Sequence, residues 1–148
     1  VLIEVALKTF LSQSVAVTAL LGSSSAIRIY PLVLPQVPVW PCATYQRISG
    51  VRDRATLGPT GTTYARIQFD VWAADTKADG GGYLAAKNAA DAMRKHLDGF
   101  RGLMGSSTVG QIFVQAVEIE NDRDDYEPDA RLYRVGFDVT LWFGEGTG

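Results

Sequence analysis

Across residues 132–143 the side chains alternate without a break. Tyr133, Val135, Phe137, Val139, Leu141 and Phe143 fall on one side, and Arg134, Gly136, Asp138, Thr140 and Trp142 on the other. Successive side chains of a strand point to opposite faces, so this run is a strand with one face in a core, and it constrains the chain more than any other segment. Residues 65–72 repeat the pattern, with Ala65, Ile67, Phe69 and Val71 opposed to Arg66, Gln68, Asp70 and Trp72. From Tyr83 to residue 97 the period changes to 3.6: Tyr83, Ala86, Ala90, Met93 and Leu97 form a stripe, while Lys87, Asp91, Arg94 and Lys95 face away. A helix with one apolar stripe needs a surface to bury it, and the two alternating strands provide one.

The remaining elements are read around this nucleus. Ile3, Leu7, Phe10 and Leu11 recur at helical spacing, and Ser14 offers an N-cap for a second short helix that ends at Gly22. Residues 27–30 suit a short strand. Pro31, Pro35, Pro38 and Pro41 then forbid a central strand or a helix and predict an extended surface connection. Residues 42–48 read as a strand, and residues 49–62, rich in glycine and proline, as a long mobile loop. Gly80, Gly81 and Gly82 predict a flexible helix start, and Gly99 and Gly102 a helix exit leading through a Gly- and Ser-containing link to Val109. Residues 111–120 form the partner of the last strand, across a polar turn of about ten residues. The succession predicts one α+β domain over residues 1–148. Its sheet is mostly antiparallel, with a long amphipathic helix and an N-terminal helical segment packed on one face.

Composition narrows the function. A chain of 148 residues, 47% hydrophobic, buries roughly 70% of its unfolded surface without staples. Cys42 is the only cysteine, so no internal disulfide or thiolate metal cluster forms, and a reducing compartment is the natural reading. A net charge of −2 gives no general affinity for nucleic acid phosphates. Glu4 and Lys8 interrupt the first apolar stretch, which argues against a signal peptide and against a membrane span.

Residues that would carry chemistry are few. His96, the only histidine, lies among Arg94 and Lys95 near a helix end, where it reads as a solvated residue supporting the helix dipole. Cys42 reads as a small buried apolar side chain. The three glycines match neither a P-loop nor a dinucleotide fingerprint. No catalytic, cofactor or metal residues are therefore assigned. Seven carboxylates, Glu118, Glu120, Asp122, Asp124, Asp125, Glu127 and Asp129, crowd into twelve residues without an EF-hand pattern. They read as a solvated hairpin tip or as an interface or channel-facing loop. Trp72 and Trp142 on the polar strand faces are candidate partner anchors, and packing under a loop is the equal alternative.

The order of these segments resembles the tail terminator (tail completion) proteins of long-tailed phages, prophages and gene transfer particles. The resemblance is carried by Arg28-Ile29-Tyr30-Pro31, Leu34-Pro35-Gln36 with Pro38 and Pro41, Tyr45, Arg66 to Ala73, the amphipathic helix, and Phe137 to Phe143. It implies a non-enzymatic α+β virion subunit without cofactors that closes a ring, usually a hexamer, on the last ring of the tail tube. It also implies a tail tube protein on one side, a head connector or stopper on the other, DNA passing through the bore, and assembly in the bacterial host cytoplasm. On that reading Arg52 and Arg54 reach a neighbouring chain, and the acidic hairpin faces either the bore or the next subunit's arginines. A head-completion or connector protein of the neck is the runner-up. A small α+β enzyme or ligand-binding module is the alternative from another class.

Overall fold

A computed structural model of the protein describes residues 2–55, 58–75 and 81–144, with residues 51–55 and 58–62 described by their backbone. Helix α1 (Ile3–Ser12) buries Ile3, Ala6, Leu7, Phe10 and Leu11, the spacing of one helix face. Helix α2 (Val15–Leu21) is turned 91° from it, and the Ser14 hydroxyl accepts a hydrogen bond from the Val17 amide at 3.3 Å, satisfying a free donor of the first turn. Arg28 closes the other end: its guanidinium donates to the carbonyls of Leu20 and Pro41, each at 3.0 Å.

Strand β1 (Ile29–Pro31) lies at an edge, where a proline without an N–H is tolerated, and pairs parallel to β2 (Cys42–Ala55). Residues 32–41 between them form neither helix nor strand, as the prolines predict. Then follow β3 (Gly58–Ala74), α3 (Gly81–Leu97), β4 (Gly102–Ser106), β5 (Gly110–Glu127) and β6 (Leu132–Gly144). The sheet order is β1-β2-β3-β6-β5-β4, and every pair except β1 with β2 is antiparallel. The architecture is thus the expected α+β arrangement. Ala86, Ala90, Met93 and Leu97 share one core cluster with Ile67, Phe69, Val71, Val135, Phe137 and Val139, and the Phe69 and Phe137 rings stack at 5.4 Å.

Four sequence readings change. The backbone of residues 49–55 and 58–62 is no loop: it continues β2 and β3 as a long hairpin, pairing Arg52 with Thr63 and Arg54 with Pro59. Bulges between Arg47 and Ser49 and between Arg52 and Arg54 absorb the irregular residues. Pro59 lies beyond Thr62, where the described β3–β6 pairing ends at Gly144, so among the described residues that end of β3 is paired on one side and tolerates a proline. The link after α3 contains a strand, β4, which hydrogen-bonds to β5. Strand β5 runs through most of the acidic cluster to Glu127, so the turn to β6 holds only residues 128–131. Finally, Gly82 lies in the first turn of α3, and a Cβ there would run into the Ala74 carbonyl oxygen. It is a point of close backbone approach and not a flexible start.

Candidate assembly interface

The alternation that sends one side of β3 and β6 to the helices sends the other side to a sheet face on which, among the described residues, no helix packs. Its centre is Asp138, 4% exposed. Arg66 donates to its Oδ2 through Nη2 at 2.7 Å and Nε at 3.2 Å, Asn121 Nδ2 donates to the same oxygen at 3.0 Å, and Arg123 Nη1 donates to Oδ1 at 3.1 Å. Burial alone would raise the Asp138 carboxyl, but the hydrogen bonds from Asn121, Arg66 and Arg123 outweigh it and hold the group below the usual carboxylate range. Arg123 Nη2 lies 3.7 Å from Asp70 Oδ1, an ion pair too long for a hydrogen bond, while Gln68 Nε2 donates to Asp70 Oδ2 at 2.8 Å.

Local backbone makes this possible. Asn121 has φ 57°, a left-handed conformation that asparagine tolerates, within the β5 bulge between Glu120 and Arg123. Gly136 on β6 leaves the space that Asp70 and Arg123 occupy, since a Cβ there would strike Asp70 Oδ1. Neither residue stands out in the sequence; only the register places them together.

The two tryptophans sit on this face but far apart. Trp72 donates to Thr44 Oγ1 at 3.0 Å and carries the Arg134 guanidinium 5.5 Å above its ring. Trp142 packs beside Tyr64, ring centres 6.1 Å apart. In the β3–β6 register Trp72 pairs with Arg134 and Tyr64 with Trp142. They are thus eight positions apart along β3, about 27 Å at strand rise. Each is half-buried, and the two are separate positions on this face.

The acidic cluster is divided by the pleat and the bulge. Toward the helices, Asp122 pairs with Arg94 at 2.9 Å, and Asp124 accepts from Tyr83 at 2.6 Å and from Lys87 at 2.9 Å. These bonds hold the Asp124 carboxyl down. On the open face Asp125 accepts from Arg134 at 2.7 Å, and Glu127 lies 3.6 Å from the same arginine. Among the described residues no side-chain hydrogen bond or ion pair reaches Glu118, Glu120 or Asp129. Most of the expected mutual repulsion is therefore offset inside the chain. The side chains of Arg52 and Arg54 lie outside the described residues.

Two further residues depart from or match their readings on burial grounds. His96 is half-buried, not solvated: its ring stacks on Phe10 at 4.2 Å and its Nε2 bonds the Phe10 carbonyl at 3.0 Å. Cys42 is buried, and burial pushes its thiol up to about 11 against the pull of Arg28, so it stays an apolar thiol at neutral pH. Among the described residues no group of three or more His, Cys, Asp or Glu side chains is placed to hold a metal ion.

At the end of the sheet beyond α1 lies a groove of about 1030 Å³, lined by Leu2, Val5, Tyr45, Ile112, Phe113 and Phe143. The charges beside it, Glu4 and Arg47, pair with each other at 3.2 Å. Beside β1, residues 32–41 present Leu32, Val33, Val37 and Val39 to solvent. Periodicity could not find either surface, because one is assembled from four strands and a helix and the other has no period.

An uncovered sheet face, an apolar groove and an apolar surface segment are surfaces on which other chains can dock. The fold is shared with a chain of a solved structure described as "Virion of native gene transfer agent (GTA) particle". The similarity has a TM-score of 0.68 at 15% identity, over 93% of this chain and 91% of that one. No curated protein matches the sequence. The family described as "Tail completion protein gp17" matches residues 5–144. The chain belongs to that family and is a structural protein of the phage tail.

Proposed function

We propose that the protein forms a ring, most simply a hexamer, on the head-proximal end of the tail tube. There it stops tube growth and offers the surface to which the head connector binds. The observation that carries this reading is the family match, which runs over residues 5–144 and so reaches every described element from α1 to β6. The fold likeness to a chain of a gene transfer agent virion supports it. A ring subunit needs two different surfaces that close on rotation, and no catalytic group. The partners are then further copies of this chain, the tail tube protein and the connector, at the tail–neck junction of a particle assembled in the host cytoplasm.

Depleting the chain during particle assembly tests this role. Tubes of abnormal, variable length without heads are expected in electron micrographs. Tubes of normal length that merely fail to join heads would move the protein to the connector side of the neck.

Asp122, Asp124, Asp125 and Glu127 already have cationic partners, and among the described residues Glu118, Glu120 and Asp129 have none, so these three supply charge for the bore. A bore lined by Glu118 and Glu120 repels phosphate and eases DNA sliding. Particles carrying Glu118→Lys with Glu120→Lys are expected to eject DNA more slowly, with the difference larger at low salt. Unchanged ejection at both salt concentrations would place these residues away from the bore.

A further inference from the structure

We propose that the arm formed by residues 32–41 of one copy seats in the groove lined by Tyr45, Phe113 and Phe143 of the next copy, joining the subunits head to tail. This rests on the ring reading and supplies its contact.

Seven exposed aliphatic or aromatic side chains gather in these two places. Leu32, Val33, Val37 and Val39 lie on the arm, and Leu2, Val5 and Phe113 on the groove rim. Val37 is 87% exposed, although it lies in the same molecule as the groove. Contiguous apolar exposure of this kind marks an interaction surface.

The arm is held ready. Its root bonds from the Leu32 amide to the Tyr45 carbonyl at 2.9 Å, and its far end is held by Arg28 on the Pro41 carbonyl. Leu32, where the β1–β2 pairing ends, has φ 65°, a left-handed conformation unfavourable for this side chain. Pro35, Pro38 and Pro41 each fix their own φ and so remove backbone freedom before docking.

The groove matches this chemistry. Tyr45 and Phe113 give it apolar walls for the arm's valines and prolines, and Gln46 and Gln111 at the rim can donate to carbonyls of the arm. Charge agrees as well. Residues 31–41 carry no ionisable side chain, and Glu4 and Arg47 beside the groove neutralise each other, so docking strands no charge. A second copy is favoured over another protein because both halves are present on this chain and adjoin, with Pro31 and Leu32 at the arm's root lining one wall of its own groove, and passing each arm to the next copy's groove repeats one contact around a ring.

The test places Val37→Cys and Phe113→Cys together in assembled particles and bridges them with a short bis-maleimide. Both positions are exposed, and the buried Cys42 does not compete. A ladder of linked copies, two and upward, is expected, with none from either single variant. Only linked pairs would mean reciprocal exchange between two copies, and linkage to another virion protein would mean a different occupant. Each of these overturns the proposal, as does the absence of any product. Rings that persist without cross-linking leave the capping role standing, whereas particles without a ring of this chain overturn that role itself. As a second measurement, Val37→Asp with Val39→Asp should lower incorporation into particles about tenfold or more while the free subunit's melting temperature stays unchanged. Normal incorporation would overturn the arm contact.

Discussion

Met93→Ala is expected to cost about 2 to 5 kcal/mol of folding stability, read as a lowered urea midpoint at unchanged slope. Met93 is fully buried in the middle of the α3 stripe, in one cluster with the stacked Phe69 and Phe137 of β3 and β6. Removing its thioether chain leaves a cavity between a helix and a sheet, two rigid layers that collapse poorly, so the upper half of the range is the natural expectation. Leu84→Ala on the outer side of the same helix is the control, since Leu84 is exposed and its loss should change little. A loss below about half a kcal/mol for Met93 would mean that α3 does not depend on this face.

Asp138→Asn should cost about 3 kcal/mol, the low end for breaking a buried ion pair. The low end applies because the partner side chains of Arg66 and Arg123 keep 37% and 33% of their surface in water, where solvent screens the orphaned charge. Asparagine preserves the shape but cannot neutralise two guanidinium groups. The pH dependence gives a second readout. The folded Asp138 carboxyl is depressed, so its stabilisation is fully present above the unfolded value near 3.9 and is lost as pH falls through the lower folded value. Asp75, Asp91, Asp124 and Asp125 are depressed too, so the check is the difference between wild type and variant. That difference should shrink as the medium is acidified below about pH 4. A difference that stays constant with pH would show that the network contributes by packing alone.

The family and the fold class could be read from the residues because both rest on local periodicity and segment order. The alternation from Tyr133 to Phe143 needs no partner to be recognised. The stripe from Ala86 to Leu97 is equally local, and the prolines after Pro31 act on their own backbone. The candidate interface was only partly legible. Trp72 and Trp142 were visible as aromatics on polar strand faces, but their separation required the β3–β6 register. Asp138 looked like one more solvent-facing carboxylate, and Asn121 like part of a turn.

Strand pairing explains the larger misreadings. The backbone of residues 49–55 and 58–62 carries glycines and prolines that read as a loop, yet the partner strand supplies the hydrogen bonds that define β2 and β3. The acidic residues up to Glu127 look like a solvated turn, yet β6 holds them in a ladder, and Arg134 from that strand and Lys87 and Arg94 from the distant helix offset their charge. The amino-acid sequence by itself determined what each residue could do over one turn of helix or a few residues of strand: which faces are apolar, where helices begin, where prolines forbid pairing. Tertiary structure alone decided which strands pair and at what register, which charges meet, and that an apolar arm and an apolar groove share one surface. Those contacts join residues tens of positions apart, and no local preference encodes a partner that the chain must fold to reach.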